Sequence, residues 1–88
     1  MRVTFKLYAM LAVHLPNEYR GHQRDGNELA LDVPEGTTVE QVTRQFKLPE
    51  KLVHLVLVDG KYIAPQDREQ RELKEGEVLA VWPPIAGG

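Results

Sequence analysis

The five residues Val78–Trp82 read Val-Leu-Ala-Val-Trp and contain no charged or hydroxyl side chain. A strand that is apolar at every position is buried on both faces, so it belongs in the middle of a sheet. The run Val3–Ala9 instead alternates apolar and polar residues with a period of two, which is typical of a strand with one buried face. We therefore expect Val78–Trp82 to lie centrally, beside Val3–Ala9.

Three further strands are predicted to complete this sheet. Alternation returns in Glu28–Val33, which is expected to pair with the first strand. The nearly continuous apolar run His54–Val58 is followed by Asp59-Gly60 and then by Lys61–Ala64. Asp-Gly between two such runs indicates a tight hairpin.

A helix is predicted between the strands Glu28–Val33 and His54–Val58. Two overlapping capping boxes, one opened by Thr37 and one by Thr38, can satisfy the amide groups left unpaired at a helix start. Pro49 prevents the helix from continuing past Leu48. The apolar stripe that would face the sheet consists of Val39, Val42 and Phe46.

The remaining segments are interpreted as connections. Met10–Leu15 lacks alternation and predicts a short helical turn that closes one end of the core. The polar segment Asn17–Asn27 contains two glycines and is interpreted as a loop. Pro65–Glu75 carries closely spaced charges of both signs and is interpreted as a solvated face without a function of its own.

The order strand, strand, helix, strand, short strand, strand predicts an α+β fold of the β-grasp type. Its mixed sheet of four to five strands would carry one main helix packed across one face. We expect residues 1–82 to form this domain and residues 83–88 to form an extended, flexible C-terminal tail.

Length and composition exclude several classes of function. A chain of 88 residues forms one small core, which disfavours a self-sufficient enzyme with a deep cleft. Eleven basic residues are balanced by thirteen acidic ones spread along the chain, so nucleic acid is not an expected partner. Serine and cysteine are absent and no threonine is N-terminal, which leaves no common side-chain nucleophile, no disulfide and no thiolate metal site.

No cofactor-binding or metal-binding motif is present. The three histidines, His14, His22 and His54, lack the spacing of metal ligands, and the glycines form no phosphate-binding pattern. The apolar stretches are too short to cross a bilayer, and the N-terminus does not resemble a secretion signal. We therefore expect a cytoplasmic protein without membrane contact.

The last six residues combine two prolines and two glycines in a pattern that a turn does not need. Pro83-Pro84 favours an extended backbone that projects from the last strand. Gly87-Gly88 carries no Cβ atoms, so a backbone with a free carboxylate could pass through a channel too narrow for side chains. Ile85 would give the arm one apolar anchor, and Pro83, Pro84 and Ala86 are also expected to contact the partner. Trp82 would either pack against that partner at the mouth of the channel or cover the rim of the core.

The whole chain resembles the MoaD- and ThiS-like sulfur carriers of the ubiquitin-like β-grasp superfamily, most closely the small subunit of molybdopterin synthase. The resemblance rests on the opening strand, the helix start, the Asp-Gly hairpin, the turn before the last strand and the tail. The segments that carry it are Val3–Ala9, Pro34–Val39, Val56–Gly60, Leu73–Val78 and, above all, Pro83–Gly88.

The resemblance implies the reactive group and the partners. The Gly88 carboxylate would be adenylated by an adenylyltransferase resembling the ubiquitin-activating enzyme, which uses ATP, and would then become a thiocarboxylate. The sulfur donor would be a cysteine desulfurase or a rhodanese-like protein. The tail would then enter the large subunit of molybdopterin synthase and give its sulfur to the pterin that holds molybdenum or tungsten. The chain itself would bind no cofactor and would be the carrier subunit of a sulfurtransferase.

Other functions use the same tail. The carrier could serve tRNA thiolation, thiamine synthesis or cysteine synthesis. A ubiquitin-like protein modifier would join Gly88 to a lysine of a target protein. A β-grasp interaction domain would leave the tail unactivated, so that loss of both glycines would have no biochemical effect.

Overall fold

The structure, a computed structural model, describes residues 1–84. The four residues 85–88, on which part of the predicted tail falls, lie outside the described residues. In chain order the elements are β1 (Arg2–Leu7), a 3-10 helix (Ala9–His14), β2 (Glu18–Tyr19), β3 (His22–Gln23), β4 (Glu28–Asp32), α1 (Val39–Gln45), a 3-10 turn (Glu50–Leu52), β5 (Leu55–Val58), β6 (Lys61–Tyr62), a 3-10 turn (Pro65–Asp67) and β7 (Val78–Trp82).

Five strands form one mixed sheet in the order β4-β1-β7-β5-β6. The all-apolar strand β7 lies in the middle, parallel to β1 and antiparallel to β5. Strand β4 pairs antiparallel with β1 on the outer side, so that Phe5 faces both Leu29 and Leu79 across the two ladders. The central position of β7, its pairing with β1 and the pairing of β1 with β4 are confirmed.

The core lies between the sheet and α1. Alternate residues of β1 point towards the helix and are fully buried, as the period-two pattern predicts. Phe5 of β1 contacts Phe46 just beyond α1, with ring centroids 5.2 Å apart. The largest fully buried side chains come from every layer: Val3, Phe5, Leu7, Leu11, Leu29, Leu31, Val39, Val42, Val56, Val58, Leu79 and Val81. The predicted α+β architecture, a five-stranded mixed sheet with one main helix across one face, is confirmed.

Of the two capping boxes that the sequence allows, α1 uses the second. The Thr38 hydroxyl accepts a hydrogen bond from the backbone N–H of Gln41, and the Gln41 side chain accepts one from the N–H of Thr38. Thr37 instead donates its hydroxyl to the carbonyl of Pro34 at 2.7 Å. Thr37 therefore braces the turn before the helix, and Thr38 begins it.

The helix ends at Gln45, three residues before the predicted limit at Leu48. Lys47 has a left-handed backbone with φ of 57°, and the N–H of Leu48 reaches back to the carbonyl of Thr43 at 3.1 Å. The N–H of Lys47 bonds the carbonyl of Arg44 at 3.0 Å, which completes a Schellman motif. This motif ends the helix before Pro49 can act.

Replacing Lys47 by glycine is expected to stabilise the protein by about 0.5–1 kcal/mol, because glycine adopts a left-handed backbone without the clash of a Cβ atom. Urea unfolding followed by circular dichroism measures the change. The control is Gln45→Gly, two residues earlier and inside the helix, which is expected to cost about 1 kcal/mol. Equal losses for both variants would contradict the strain at Lys47.

The segment 17–27, interpreted from sequence as a loop, contains a hairpin of β2 and β3. Arg20 and Gly21 both have positive φ, as the two central residues of a type I′ turn do. The ring of Tyr19 packs edge-on against Phe46 with centroids 5.0 Å apart. His22 bonds Asp32 of β4 through Nε2 and Oδ2 at 2.7 Å. The hairpin is thereby joined both to the helix side and to the outer strand.

The segment Pro65–Glu75 is only partly the solvated face that its charges predict. Arg68 is buried, with 8% of its surface exposed, and Leu73 is buried beside α1 and the sheet. The Arg68 guanidinium donates to the carbonyls of Ile63, Val53 and His54 at 3.1, 3.2 and 3.0 Å. This run of charged residues therefore includes a buried arginine, which joins the backbone before β5 to the backbone after β6.

Candidate functional site

The predicted site begins where β7 ends at Trp82. Pro83 is buried and Pro84 is exposed, so the chain leaves the packed surface at Pro84. Ile85, Ala86, Gly87 and Gly88 lie outside the described residues, and their predicted roles stay predictions. The division of the chain after residue 82 also stays a prediction.

Trp82 is packed against another aromatic ring of this chain. Its ring lies parallel to that of Tyr8, with centroids 4.0 Å apart and planes 6° from parallel. Both residues are half-buried. The N–H of Tyr8 bonds the carbonyl of Val81 at 3.1 Å, which fixes the last residue before the 3-10 helix to the end of β7. The stack covers the end of the sheet and leaves part of the surface of both residues exposed.

Sequence reasoning had not included Tyr8 among the site residues. Strands β1 and β7 are parallel with Leu7 beside Val81, so the next residue of each strand stands on the opposite face of the sheet. Tyr8 and Trp82 are those next residues. The sequence analysis placed the two strands side by side without a direction or a register, so the Tyr8–Trp82 contact required the structure.

The stack continues into an apolar surface on the sheet face opposite α1. Cross-strand pairs join Trp82 to Leu55, Ala80 to Leu57 and Leu57 to Tyr62. Because these residues alternate with the buried core residues, they point away from the helix. The apolar half of this face consists of Leu55, Leu57, Tyr62, Val78, Ala80 and Trp82.

The 3-10 helix Ala9–His14 stands at the same end of the sheet. It follows β1 directly through Ala9, whose backbone is left-handed with φ of 52°. Leu11 and Leu15 are buried and anchor the segment in the core. Arg24 donates from Nη1 to the carbonyls of Ala12 and Leu15 at 3.1 and 2.8 Å, which satisfies the end of the helix.

The carboxyl groups with shifted pKa values lie at the opposite end of the sheet. Hydrogen bonds from His22 and then Arg2 lower the pKa of Asp32, which is paired with the first residue of β1. A hydrogen bond from Arg71 lowers the pKa of Glu77, immediately before β7. Asp32 of β4 forms an ion pair with Arg2 of β1 at 3.0 Å, and Glu77 forms one with Arg71 in the segment before β7 at 2.8 Å. They contribute no acid or base to the end of the domain that carries Trp82.

No group of three or more metal-ligating side chains occurs within residues 1–84. In the same range no helix is long and apolar enough to cross a membrane. What the described residues provide is an apolar, partly aromatic surface beside the point at which the chain leaves the packed domain.

Comparison with known proteins identifies the family. The ThiS family model matches residues 13–88, which includes the predicted tail. No curated protein sequence matches the chain. Among solved structures, SAMP1 from Haloferax volcanii is 20% identical, with a TM-score of 0.65 and full coverage of both chains. A Pyrococcus furiosus protein assigned as molybdopterin converting factor, subunit 1, is 23% identical, with a TM-score of 0.63 over 96% of this chain and 98% of the other.

At these identities the two structures establish the fold, and the family follows from the sequence model. That model extends over most of the domain and through Gly88. Since the fold agrees with both structural neighbours over essentially their whole lengths, the chain belongs to the ThiS family and has a ubiquitin-like β-grasp fold.

Proposed function

We propose that the chain is a sulfur carrier whose reactive group is the carboxylate of Gly88. The observation that carries this proposal is the ThiS family match, which runs through Gly87-Gly88 rather than ending with the β-grasp domain. The composition is consistent with it, because a carrier needs no serine, cysteine or metal site of its own.

The chemistry is divided between the carrier and its partners. A carboxylate is a poor electrophile, so an adenylyltransferase first attaches it to the α-phosphate of ATP and releases pyrophosphate. The acyl-adenylate then has a good leaving group, AMP. The outer sulfur of a persulfide on the sulfur donor, such as a cysteine desulfurase or rhodanese-like protein, attacks the acyl carbon and displaces AMP, which gives an acyl disulfide. A thiol of a partner protein then attacks the donor's sulfur, forms a disulfide with it and releases the thiocarboxylate on Gly88. The carrier's part is to deliver its carboxylate through a channel in each partner, which the absence of Cβ atoms at both glycines favours.

For the pathway, we propose that the chain is the small subunit of molybdopterin synthase. The structural neighbour assigned as molybdopterin converting factor, subunit 1, supports this choice. The large subunit of that enzyme would receive the tail, and Trp82 and the residues from Pro83 to Ala86 would contact it. We place this chemistry in the cytoplasm. Thiamine synthesis, tRNA thiolation, cysteine synthesis and protein modification use the same activated tail.

The intact mass of the protein purified gently from its own cells tests the proposal. Fragment ions should locate a replacement of one oxygen by sulfur at Gly88, because a carrier at rest holds its thiocarboxylate. The matched sample is the same protein treated with iodoacetamide, which alkylates the sulfur of a thiocarboxylate and meets no cysteine in this chain. An unmodified Gly88, together with Gly-Gly remnants on lysines of other proteins, would contradict the carrier and identify a protein modifier.

A further inference from the structure

Two large apolar side chains on the 3-10 helix Ala9–His14 are exposed without a packing role in the domain. Met10 is 58% exposed and Val13 is 80% exposed. Side chains at i and i+3 of a 3-10 helix eclipse one another, so the two residues form a single ridge. Among the described residues, Tyr62 is the other large apolar side chain with comparable exposure. The Met10–Val13 ridge is therefore surface that folding does not explain.

The ridge is held in a fixed position. Leu11, between its two residues in sequence, is fully buried, and Leu15 is buried just beyond the helix. The helix is bonded to β7 through Tyr8 and Val81, and its end is bonded by Arg24. A contact surface that is already ordered loses little conformational freedom when a partner binds it.

The ridge also stands close to where the tail begins. Strands β1 and β7 are parallel and end side by side, so the 3-10 helix after β1 and the segment after Trp82 leave the same end of the sheet. The four residues from Ile85 to Gly88 can span at most about 14 Å. An enzyme that reacts with Gly88 must therefore bring its own surface against this end of the domain.

We propose that the Met10–Val13 ridge docks into an apolar socket beside the active-site mouth of the enzyme that adenylates Gly88. The Tyr8–Trp82 stack, at the same end of the sheet, would form the other side of the contact. This inference rests on the proposed function, in which the carboxylate of Gly88 is the group that reacts with ATP. It adds a recognition element more than seventy residues away in sequence from the reacting residue.

Val13→Glu and Met10→Glu test the ridge. Each protein is incubated with a desalted extract of the protein's own cells, magnesium-ATP and hydroxylamine. Adenylation joins the carboxylate oxygen to the α-phosphorus and releases pyrophosphate; hydroxylamine then attacks the acyl carbon, releases AMP and leaves a hydroxamate at Gly88. Mass spectrometry follows the hydroxamate. At limiting carrier concentration each variant is expected to react at least about tenfold more slowly, because a carboxylate would enter the apolar socket.

The concentration dependence separates docking from chemistry. A lost docking contact should raise the carrier concentration needed for half-maximal rate and leave the rate at saturation nearly unchanged. Val13→Ile, which keeps an apolar β-branched side chain, should react like the unaltered protein. Circular dichroism should give the same unfolding midpoint for all ridge variants, since both positions are largely exposed.

Gln70→Glu is the matched control for charge. Gln70 is exposed. The carbonyl of the next residue, Arg71, accepts a hydrogen bond from the N–H of Val39 at the start of α1, and the Arg71 side chain donates to Glu77 just before β7. Gln70 therefore lies at the end of the sheet opposite the ridge. The Gln70→Glu variant adds the same single negative charge as the ridge variants, and its rate of hydroxamate formation is expected to be unchanged. Wild-type rates for both ridge variants, or an equal loss in Gln70→Glu, would overturn the docking proposal and leave the carrier function standing. Absence of hydroxamate from the unaltered protein would overturn the proposed function and this inference with it.

Discussion

Deleting Gly87 and Gly88 is expected to abolish adenylation of the protein completely and to change its free energy of unfolding by less than about 0.5 kcal/mol. The reacting carboxylate would be moved back by two residues and would belong to Ala86, so it could not reach the α-phosphate through a channel fitted to glycine backbone. The fold should tolerate the deletion because two glycines remove no side chain from the core. The hydroxamate trap measures adenylation, and urea unfolding measures stability.

The deletion also separates the classes of function that share this fold. A carrier and a protein modifier both require the adenylated tail, so both predict complete loss of the hydroxamate. An interaction domain with an unactivated tail predicts no hydroxamate before or after the deletion. Formation of an acyl-adenylate by the deleted protein would show that Gly88 is not the reacting residue.

The arrangement of the sheet was predictable because burial leaves a pattern in the sequence. A strand apolar at every position can be satisfied only in the middle of a sheet, and β7 lies there. Alternation in β1 identified its buried face, with Val3, Phe5 and Leu7 all buried. These predictions depend on side chains that contact the core, which is where hydrophobic pattern carries most of its information.

The errors concern backbone geometry and long-range contacts that composition does not encode. The helix ends early because Lys47 is left-handed, a conformation that a lysine in the sequence does not signal. The hairpin in segment 17–27 has strands of two residues, too short for alternation to be detected. Its stability comes from Tyr19 against Phe46 and His22 against Asp32, contacts that only the folded chain brings together.

For the candidate site, the sequence predicted roles for the tail and Trp82, which stay predictions, while Tyr8 and the Met10–Val13 ridge required the structure. The tail is predictable from the sequence because proline restricts the backbone and glycine lacks a side chain, which makes the chain narrow. The ridge is not, because Met10 and Leu11 are both apolar and only the three-dimensional path of the 3-10 helix decides that Met10 is exposed and Leu11 is buried.

Arg68 is the position where the sequence was most misleading, and its replacement has a large expected effect on stability. Arg68→Met is expected to lower the free energy of unfolding by about 3 kcal/mol, because three carbonyl groups, those of Val53, His54 and Ile63, would lose a charged donor. Methionine keeps most of the apolar stem, so little of the loss would come from packing. For a domain of this size the midpoint of thermal unfolding should fall by more than about 10 °C.

Arg44→Met supplies the matched control, because it makes the same chemical change at an arginine whose side chain is 78% exposed. Arg44 bonds Glu40 one turn away on α1 at 3.1 Å, and an exposed pair of this kind contributes only about 0.3–0.5 kcal/mol. Arg68→Lys should recover part of the loss, since an ammonium group keeps the charge but cannot reach all three carbonyls in the geometry of a guanidinium. If Arg68→Met and Arg44→Met unfolded at the same urea concentration, Arg68 would not connect the β5 and β6 ends of the sheet. We expect Arg68→Met to lose much more stability than Arg44→Met. The buried Arg68 would then be a main stabilising contact of the sheet edge formed by β5 and β6, although the charges around it in the sequence indicate solvent exposure.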